Sequence, residues 1–187
     1  LVKSQLQAKN LILTGMRGSG KSKLGSLLGR MLGRRFIDID DLIEEKEKKS
    51  IPVIVANRGW KYFRMLERKA VKKIASVRGT IIATGGGTLM DKQNTRILKK
   101  NGKVIFLECP AKIIRKRIAE SITRPSLTGK KSFLDELEEI YKKRKGEYQF
   151  VADATIDTSE QSHRKRHDLD LKIKHLMNQM RRWGMVE

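Results

Sequence analysis

The stretch that decides the fold is Gly15-Met16-Arg17-Gly18-Ser19-Gly20-Lys21-Ser22, which matches the pattern G-x-x-x-x-G-K-[ST] at every fixed position. The apolar residues 10–14 precede it and predict a buried strand, and a helical pattern from about residue 21 to 32 follows it. Glycines let successive backbone N–H groups point at phosphate oxygens, and the helix N-terminus adds the positive end of its dipole. The stretch therefore predicts a phosphate-binding loop for a nucleoside triphosphate, but it does not specify the reaction.

Two side chains of this loop have distinct predicted roles. Lys21 is expected to bridge the β- and γ-phosphates, and the Ser22 hydroxyl is expected to take a coordination position on Mg²⁺. The other expected phosphate contacts come from the backbone of Gly18, Ser19 and Gly20.

The rest of the chain alternates short apolar strands with helical patterns. Strands are predicted at 35–38, 80–83, 103–107 and 154–157, and helices at 41–48, 59–77, 92–100, 111–119, 133–150 and about 164–182. This alternation favours an α/β fold with a parallel sheet and helices on both faces. Since the chain has no long repeat and no flexible linker, we expect one domain over residues 1–187, with its core at about 10–162.

Composition excludes several classes of protein. The longest apolar runs are far too short to cross a bilayer, and no apolar segment follows a basic start, so we expect no membrane anchor and no secretory signal. Cys109 is the single cysteine, which excludes an internal disulfide and indicates a reducing compartment. Because the chain begins at Leu1, we interpret it as a processed product or an excised piece. We expect a cytoplasmic monomer, or a plastid protein if the chain is a processed eukaryotic product.

The charge of the chain keeps two functions open. There are 42 lysines and arginines against 21 acidic residues, a net charge of +21. Such a charge attracts nucleotides, carboxylates or nucleic acid, and it leaves both a nucleotide-using enzyme and a nucleic-acid-binding protein as hypotheses. Aromatic residues make up only 5% of the chain, few for base stacking, so nucleic acid is the weaker hypothesis.

Two acids and a run of glycines follow the predicted strands. Asp38 and Asp40 end the second strand; residues two apart on a strand face the same way, so both carboxylates are expected to point into the crevice at that sheet edge. The alternative is that these acids cap the next helix, for which Asp41 is the simpler candidate. Residues 85–87 are three glycines after the third strand and indicate that backbone approaches a ligand closely.

Three arginines are candidates for binding anionic groups. Arg64 lies on a helix whose apolar stripe is predicted to be buried, and beside the crevice it could fork onto a carboxylate. Arg124 lies in a polar stretch at 121–132 that is predicted to form a mobile lid, where an arginine suits charge stabilisation on a transferred phosphoryl group. Arg144 stands in a basic cluster. For each of the three, the alternative is an ordinary solvated side chain.

Together these residues resemble the shikimate kinase family, which transfers phosphate from ATP to the 3-hydroxyl of shikimate. The shared features, over about residues 10–162, are the phosphate-binding loop, Asp-x-Asp, Phe63-Arg64, the triple glycine, Arg124-Pro125 and a late arginine before a tyrosine. The stretch Arg58-Gly59-Trp60 is similar to the shikimate kinase module of arom polypeptides. The resemblance implies the five-stranded parallel sheet of P-loop kinases, in the order 2-3-1-4-5.

The resemblance also implies a role for each candidate residue. Asp38 would organise the shell of the Mg²⁺ that Ser22 binds and would act as base, while Arg124 would be the lid arginine. Arg117 would flank the adenine and Gln161 would touch ATP. The shikimate site would consist of Asp40 and Gly86 at the hydroxyls, Arg64 and Arg144 at the carboxylate, and Gly85 and Gly87 completing the pocket.

The sequence departs from the family pattern at two positions near these sites. Lys23, within the expected nucleotide site, replaces a common threonine, so a hydroxyl near the α-phosphate is exchanged for a cation, and Ser126 replaces a common leucine in the lid. The alternative enzyme is another small-molecule kinase of this class, such as a gluconate kinase, because two arginines for one carboxylate fit both substrates.

Overall fold

A parallel sheet of five strands forms the centre of the molecule. The computed structural model describes residues 9–119, 133–159 and 165–187. The strands are β1 (Asn10–Thr14), β2 (Phe36–Asp38), β3 (Ile81–Ala83), β4 (Gly102–Glu108) and β5 (Ala154–Asp157). Their order is β2-β3-β1-β4-β5, and every neighbouring pair is parallel. The predicted α/β fold and strand order are therefore confirmed.

Seven α-helices in the described ranges cover this sheet. They are α1 (Lys21–Leu32), α2 (Ile39–Glu47), α3 (Ile51–Lys73), α4 (Lys92–Lys100), α5 (Ala111–Ala119), α6 (Phe133–Val151) and α7 (Lys165–Arg182), and a short 3-10 helix spans Thr88–Met90. None of these helices has both the length and the apolar character needed to cross a bilayer.

Alternation along the central strand separates the two sides of the core. Leu11 and Leu13 pack toward α1 and α7, whereas Ile12 packs toward α2, α3 and α4, because successive strand side chains point to opposite faces. Every residue of β1 is buried. The predicted last helix is confirmed as α7, and its Ile173, Leu176 and Met180 are buried on the α1 side.

Two predictions about elements near the site are wrong. β2 ends at Asp38, and α2 begins at Ile39, so Asp40 lies in the first turn of a helix and not on the strand. The residue that caps α2 is Asp38 rather than Asp41, because its carboxylate accepts a hydrogen bond from the backbone N–H of Asp40.

The helix predicted from residue 59 begins eight residues earlier, at Ile51. Its backbone leaves the helical conformation at Gly59, where φ is 76° and ψ is 169°, so α3 consists of two helical segments joined at that residue. The first segment still contributes to the core through Ile51, Ile54 and Val55.

Candidate active site

The phosphate-binding loop joins β1 to α1 as the motif predicts. Gly15, Gly18 and Gly20 have φ values of 143°, 79° and 97°, which side-chain-bearing residues rarely adopt. A Cβ on Gly15 would also lie 2.6 Å from the carbonyl oxygen of Leu107. The motif glycines are therefore required by the backbone path itself.

Lys21 and Ser19 bring polar groups into this loop. Lys21 is 8% exposed, and its Nζ donates hydrogen bonds of 2.9 Å to the carbonyl oxygens of Gly15 and Met16. The Ser19 hydroxyl is fully buried and has no hydrogen-bond partner among the described residues. A buried cation and an unpartnered hydroxyl in one glycine loop suit an anionic, hydrogen-bonding ligand.

Ser22 and Asp38 meet beside the loop. The Ser22 hydroxyl donates a 2.6 Å hydrogen bond to Oδ2 of Asp38, while Oδ1 of Asp38 accepts from the N–H of Asp40 at 2.9 Å. Asp38 thus caps α2 through Oδ1 and contacts Ser22 through Oδ2. The helix cap and the predicted role of Asp38 in the site are therefore compatible.

The triple glycine at 85–87 packs against side chains from three helices. A Cβ on Gly85 would lie 2.7 Å from Oδ1 of Asp40, and one on Gly87 would lie 2.6 Å from the guanidinium nitrogens of Arg64. A Cβ on Gly86 would lie 3.6 Å from Nη1 of Arg144. Asp40 therefore reaches the site from a helix, even though the strand argument that led to it is wrong.

Arg64 is held in place by neighbours on its own helix and on the loop. It pairs with Glu67, which is 1% exposed and also accepts a 2.7 Å hydrogen bond from the Thr88 hydroxyl. The guanidinium lies 5.5 Å from the centre of the Trp60 ring. The solvated alternative for Arg64 is therefore wrong, because its side chain is tied to the triple glycine.

Arg144 and Tyr148 both donate to the carbonyl oxygen of Gly86. The Arg144 bond is 3.1 Å long, and the Tyr148 hydroxyl forms a second one. Burial raises the pKa of Tyr148, so the hydroxyl keeps its proton and remains a donor. Arg144 is thus directed into the site, unlike a side chain on a solvated basic face.

Arg117 lies on the other side of the phosphate-binding loop. Its guanidinium donates to the carbonyl oxygens of Thr158 at 2.6 Å and Gly18 at 3.4 Å. A cleft of about 470 Å³ opens there, and Lys23 and Lys172 also line it. The structure therefore places Lys23 and Arg117 beside the loop, as the sequence predicts for a nucleotide site.

Two predicted site residues, Arg124 and Gln161, lie outside the described residues, as does the predicted lid at 121–132. Sequence reasoning also missed two residues that hold the site together, Glu67 and Tyr148. Glu67 could have been noticed, because it falls at core spacing on the stripe that contains Phe63 and Ala70. The only sequence feature that pointed to Tyr148 was its position one helical turn after Arg144.

Comparisons with known proteins agree with this geometry. The family model for shikimate kinase matches residues 17–179. Shikimate kinase of Syntrophus aciditrophicus (strain SB) is 41% identical over 163 residues, which cover 81% of this chain and 84% of that protein. Shikimate kinase of Persephonella marina (strain DSM 14350 / EX-H1) is 39% identical over 154 residues, covering 82% and 92%.

A solved structure agrees as well. Shikimate kinase from Acinetobacter baumannii in complex with shikimate superposes with a TM-score of 0.83 at 30% identity, covering 97% of this chain and 98% of that one. The phosphate-binding loop, the fold and these matches lead to one conclusion: this chain belongs to the shikimate kinase family.

Proposed function

We propose that this chain transfers the γ-phosphoryl group of ATP to the 3-hydroxyl of shikimate, giving shikimate 3-phosphate and ADP. The observation that carries the proposal is the position of the triple glycine. A Cβ on Gly86 would lie 3.6 Å from the backbone N of Arg17 and 3.7 Å from the carbonyl oxygen of Gly15, so this loop adjoins the phosphate-binding loop. An acceptor bound by Arg64 and Arg144 would therefore lie next to the nucleotide phosphates.

In this proposal, Arg64 and Arg144 bind the acceptor's carboxylate. They come from different helices, α3 and α6, and converge on residues 85–87. Asp40 and Gly86 would bind the ring hydroxyls. Because any side chain at Gly85 or Gly87 would overlap Asp40 or Arg64, the glycines keep this pocket open.

The residues beside the loop also fit Mg²⁺. A serine hydroxyl and a carboxylate are the hard oxygen donors that this ion prefers, and Mg²⁺ is usually held by one or two protein oxygens together with substrate phosphates. Ser22 would bind it and Asp38 would organise its shell. When bound, the ion would neutralise charge on the β- and γ-phosphates.

The chain's own residues would then carry out the transfer. The acceptor oxygen forms a bond to the γ-phosphorus while the bond to the β–γ bridging oxygen breaks, and ADP leaves with that electron pair. Asp38 takes the hydroxyl proton, and Lys21 stabilises charge on the transferred group. We assign Arg124 the same stabilising role, and we assign Lys23, Arg117 and Gln161 to nucleotide binding.

A coupled ADP-release assay tests the proposal when it is run with ATP and shikimate, and separately with gluconate as acceptor. We expect turnover with shikimate, with the product's phosphorus resonance coupled to the ring proton at carbon 3. Turnover with gluconate alone would instead support the alternative small-molecule kinase. No turnover with either acceptor would refute both.

A matched pair of variants tests the acceptor site. In Arg64→Ala the KM for shikimate should rise by at least tenfold, since a hydrogen bond to a charged group contributes about 1.5–3 kcal/mol, while the KM for ATP should stay constant. Arg182→Ala removes the same charge from an exposed position on α7, away from residues 85–87, and should leave both KM values unchanged. Equal effects of the two substitutions would contradict the carboxylate clamp.

The monomeric state, the single-domain organisation and the cytoplasmic location remain predictions. Sedimentation velocity on the full chain tests the first of these. A mass twice the chain's 21.5 kDa would contradict it.

A further inference from the structure

The positive charge of the chain is concentrated in one part of the sequence. Residues 48–103 contain 15 lysines and arginines against only two acids, Glu67 and Asp91, so this segment carries +13 of the net +21. Within residues 48–103, strand β3 and the triple glycine have no charged residue. The cations therefore lie mainly on α3 and α4 and in the segments that flank them.

Neither acid of this segment balances the exposed cations. Glu67 is buried and pairs with Arg64. Asp91 accepts a 2.5 Å bond from Arg68 and caps α4. Partial desolvation would raise the pKa of Asp91, but the hydrogen bonds from Arg68 and from the backbone hold it below the usual value. Each of these two carboxylates is therefore already paired with an arginine.

Several other cations on the two helices are exposed and have no acidic partner among the described residues. Lys69 and Lys73 line a groove against α2 together with Glu47. The others are Lys72, Lys92, Arg96 and Lys100. Because α3 and α4 pack side by side on one face of the sheet, these cations form one basic surface, which we call the α3–α4 face.

This face continues into the proposed acceptor site. A cleft of about 590 Å³ is lined by Arg64, Gly87 and Arg144, and its rim carries Lys92 and the Arg68–Asp91 pair. The Arg64 side chain is 32% exposed, so the positive charge of the clamp is open to solvent. An anion that enters the cleft past Lys92 is therefore attracted toward the clamp arginines.

We propose that the α3–α4 face steers the acceptor's carboxylate into the cleft and so raises its rate of association. The inference rests on the proposed function, since it needs an anionic acceptor at Arg64 and Arg144. Clefts lined by charge of one sign raise association rates of oppositely charged ligands by about 10- to 1,000-fold, and the effect falls with ionic strength. The Debye length is about 8 Å at physiological salt, so Lys92 at the rim acts most strongly, whereas Asp91 largely offsets the charge of Arg68.

A small anion suits this face better than a polyanion. Trp60 and Tyr62 are only partly exposed, and the described part of α3 and α4 offers no fully exposed aromatic ring on which a base could stack. The cations, in contrast, lead to a cleft of small-molecule size.

Stopped-flow fluorescence can measure the association rate directly. Trp60 lies 5.5 Å from the Arg64 guanidinium, so its emission should respond when shikimate binds, and Trp183→Phe removes the other tryptophan. Between about 10 mM and about 500 mM salt the Debye length falls from about 30 Å to a few ångströms, and we expect the association rate constant to fall about tenfold. The dissociation rate constant should change less than the association rate constant.

Three charge reversals locate the effect. Lys92→Glu at the rim should lower the association rate constant at low salt by about fivefold or more, and Arg96→Glu, one helical turn further along α4, should lower it less. Lys174→Glu makes the same change of charge on α7, on the opposite side of the sheet, and should have no effect. All variants should converge at high salt.

Four outcomes would overturn the inference. Association rates that are independent of salt, or equally lowered by Lys92→Glu and Lys174→Glu, would show that the face does not steer the acceptor, while turnover with shikimate would still support the proposed function. Binding of duplex DNA at physiological salt that Lys92→Glu abolishes would assign the face to a polyanion. If shikimate neither binds nor turns over, the proposed function fails and the inference with it.

Discussion

Replacing Glu67 by glutamine tests whether this buried acid positions Arg64. The substitution keeps the size of the side chain and removes its charge. Glu67 accepts hydrogen bonds from Arg64 and from Thr88. When the oxygen of a glutamine amide faces Arg64, its NH₂ group can donate to the Thr88 hydroxyl; when it faces Thr88, the NH₂ group faces the guanidinium, which has no acceptor. In either orientation Arg64 loses its ionised acceptor, and a hydrogen bond to a charged group contributes about 1.5–3 kcal/mol.

A loss of about 1.4 kcal/mol, close to the lower end of this range, corresponds to a tenfold change in an equilibrium constant. In Glu67→Gln we therefore expect the KM for shikimate to rise about tenfold, because Arg64 no longer keeps one orientation over Gly87. The KM for ATP should stay constant, and kcat should change less than threefold, because the residues around the phosphates are untouched.

The coupled ADP-release assay at saturating ATP measures this effect, with thermal unfolding to check that the variant is folded. Glu45→Gln makes the same change of charge at an exposed position of α2 and serves as the control. If folded Glu67→Gln has the KM of the native chain for shikimate, Arg64 does not depend on Glu67, and our account of the clamp is wrong.

Three further variants test other contacts of the site. Lys21→Ala should lower kcat by at least about 100-fold, since removing one preorganised donor to a developing charge costs about 3 kcal/mol; a near-normal kcat would refute the assignment of the ATP site. Tyr148→Phe removes one of the two donors to Gly86 and should raise the KM for shikimate about fivefold, for a cost of about 1 kcal/mol, whereas Tyr141→Phe should not change it. Asp91→Asn should lower stability by about 0.5 kcal/mol at pH 6, because Arg68 is more than half exposed. Since the pKa of Asp91 is lowered on folding, its contribution is present above the ordinary aspartate pKa of about 3.9 and is lost as the pH falls below it. Thermal unfolding from pH 6 to pH 3 should therefore show the difference disappearing, and a difference independent of pH would contradict the ion pair.

Local sequence patterns were sufficient to predict most of the fold. The loop motif, the apolar run at β1 and the alternation of strands with helices predict the parallel sheet, because buried parallel strands are apolar on both sides. The first segment of α3 was missed since Gly59 and Pro52 look like interruptions. Yet Pro52 lies in the first turn of the helix, where its missing N–H is not needed, and Gly59 only breaks α3 without ending it.

The site was harder to predict, because its residues meet through packing between elements. Asp40 was chosen from strand periodicity, but it belongs to a helix and comes near Gly85 through the position of α2. Arg144 is separated from Gly86 by 58 residues of sequence, and apart from the family resemblance only the tertiary structure distinguishes it from the lysines beside it. A hydrogen bond between distant segments produces no periodic pattern of residues, so a single sequence does not reveal it.

The packing around residues 85–87 limits how this pocket can evolve toward other acceptors. Asp40, Arg64 and Arg144 reach the glycines from three separate helices, and enlarging Gly85 or Gly87 displaces Asp40 or Arg64, whose own partners lie elsewhere. Substitutions at such shared contacts are not additive, and each intermediate on the way to a new specificity would lose function before a second change restores it. New specificity is therefore expected to need coordinated changes in α2, α3 and α6, which single-residue variation from this sequence rarely supplies.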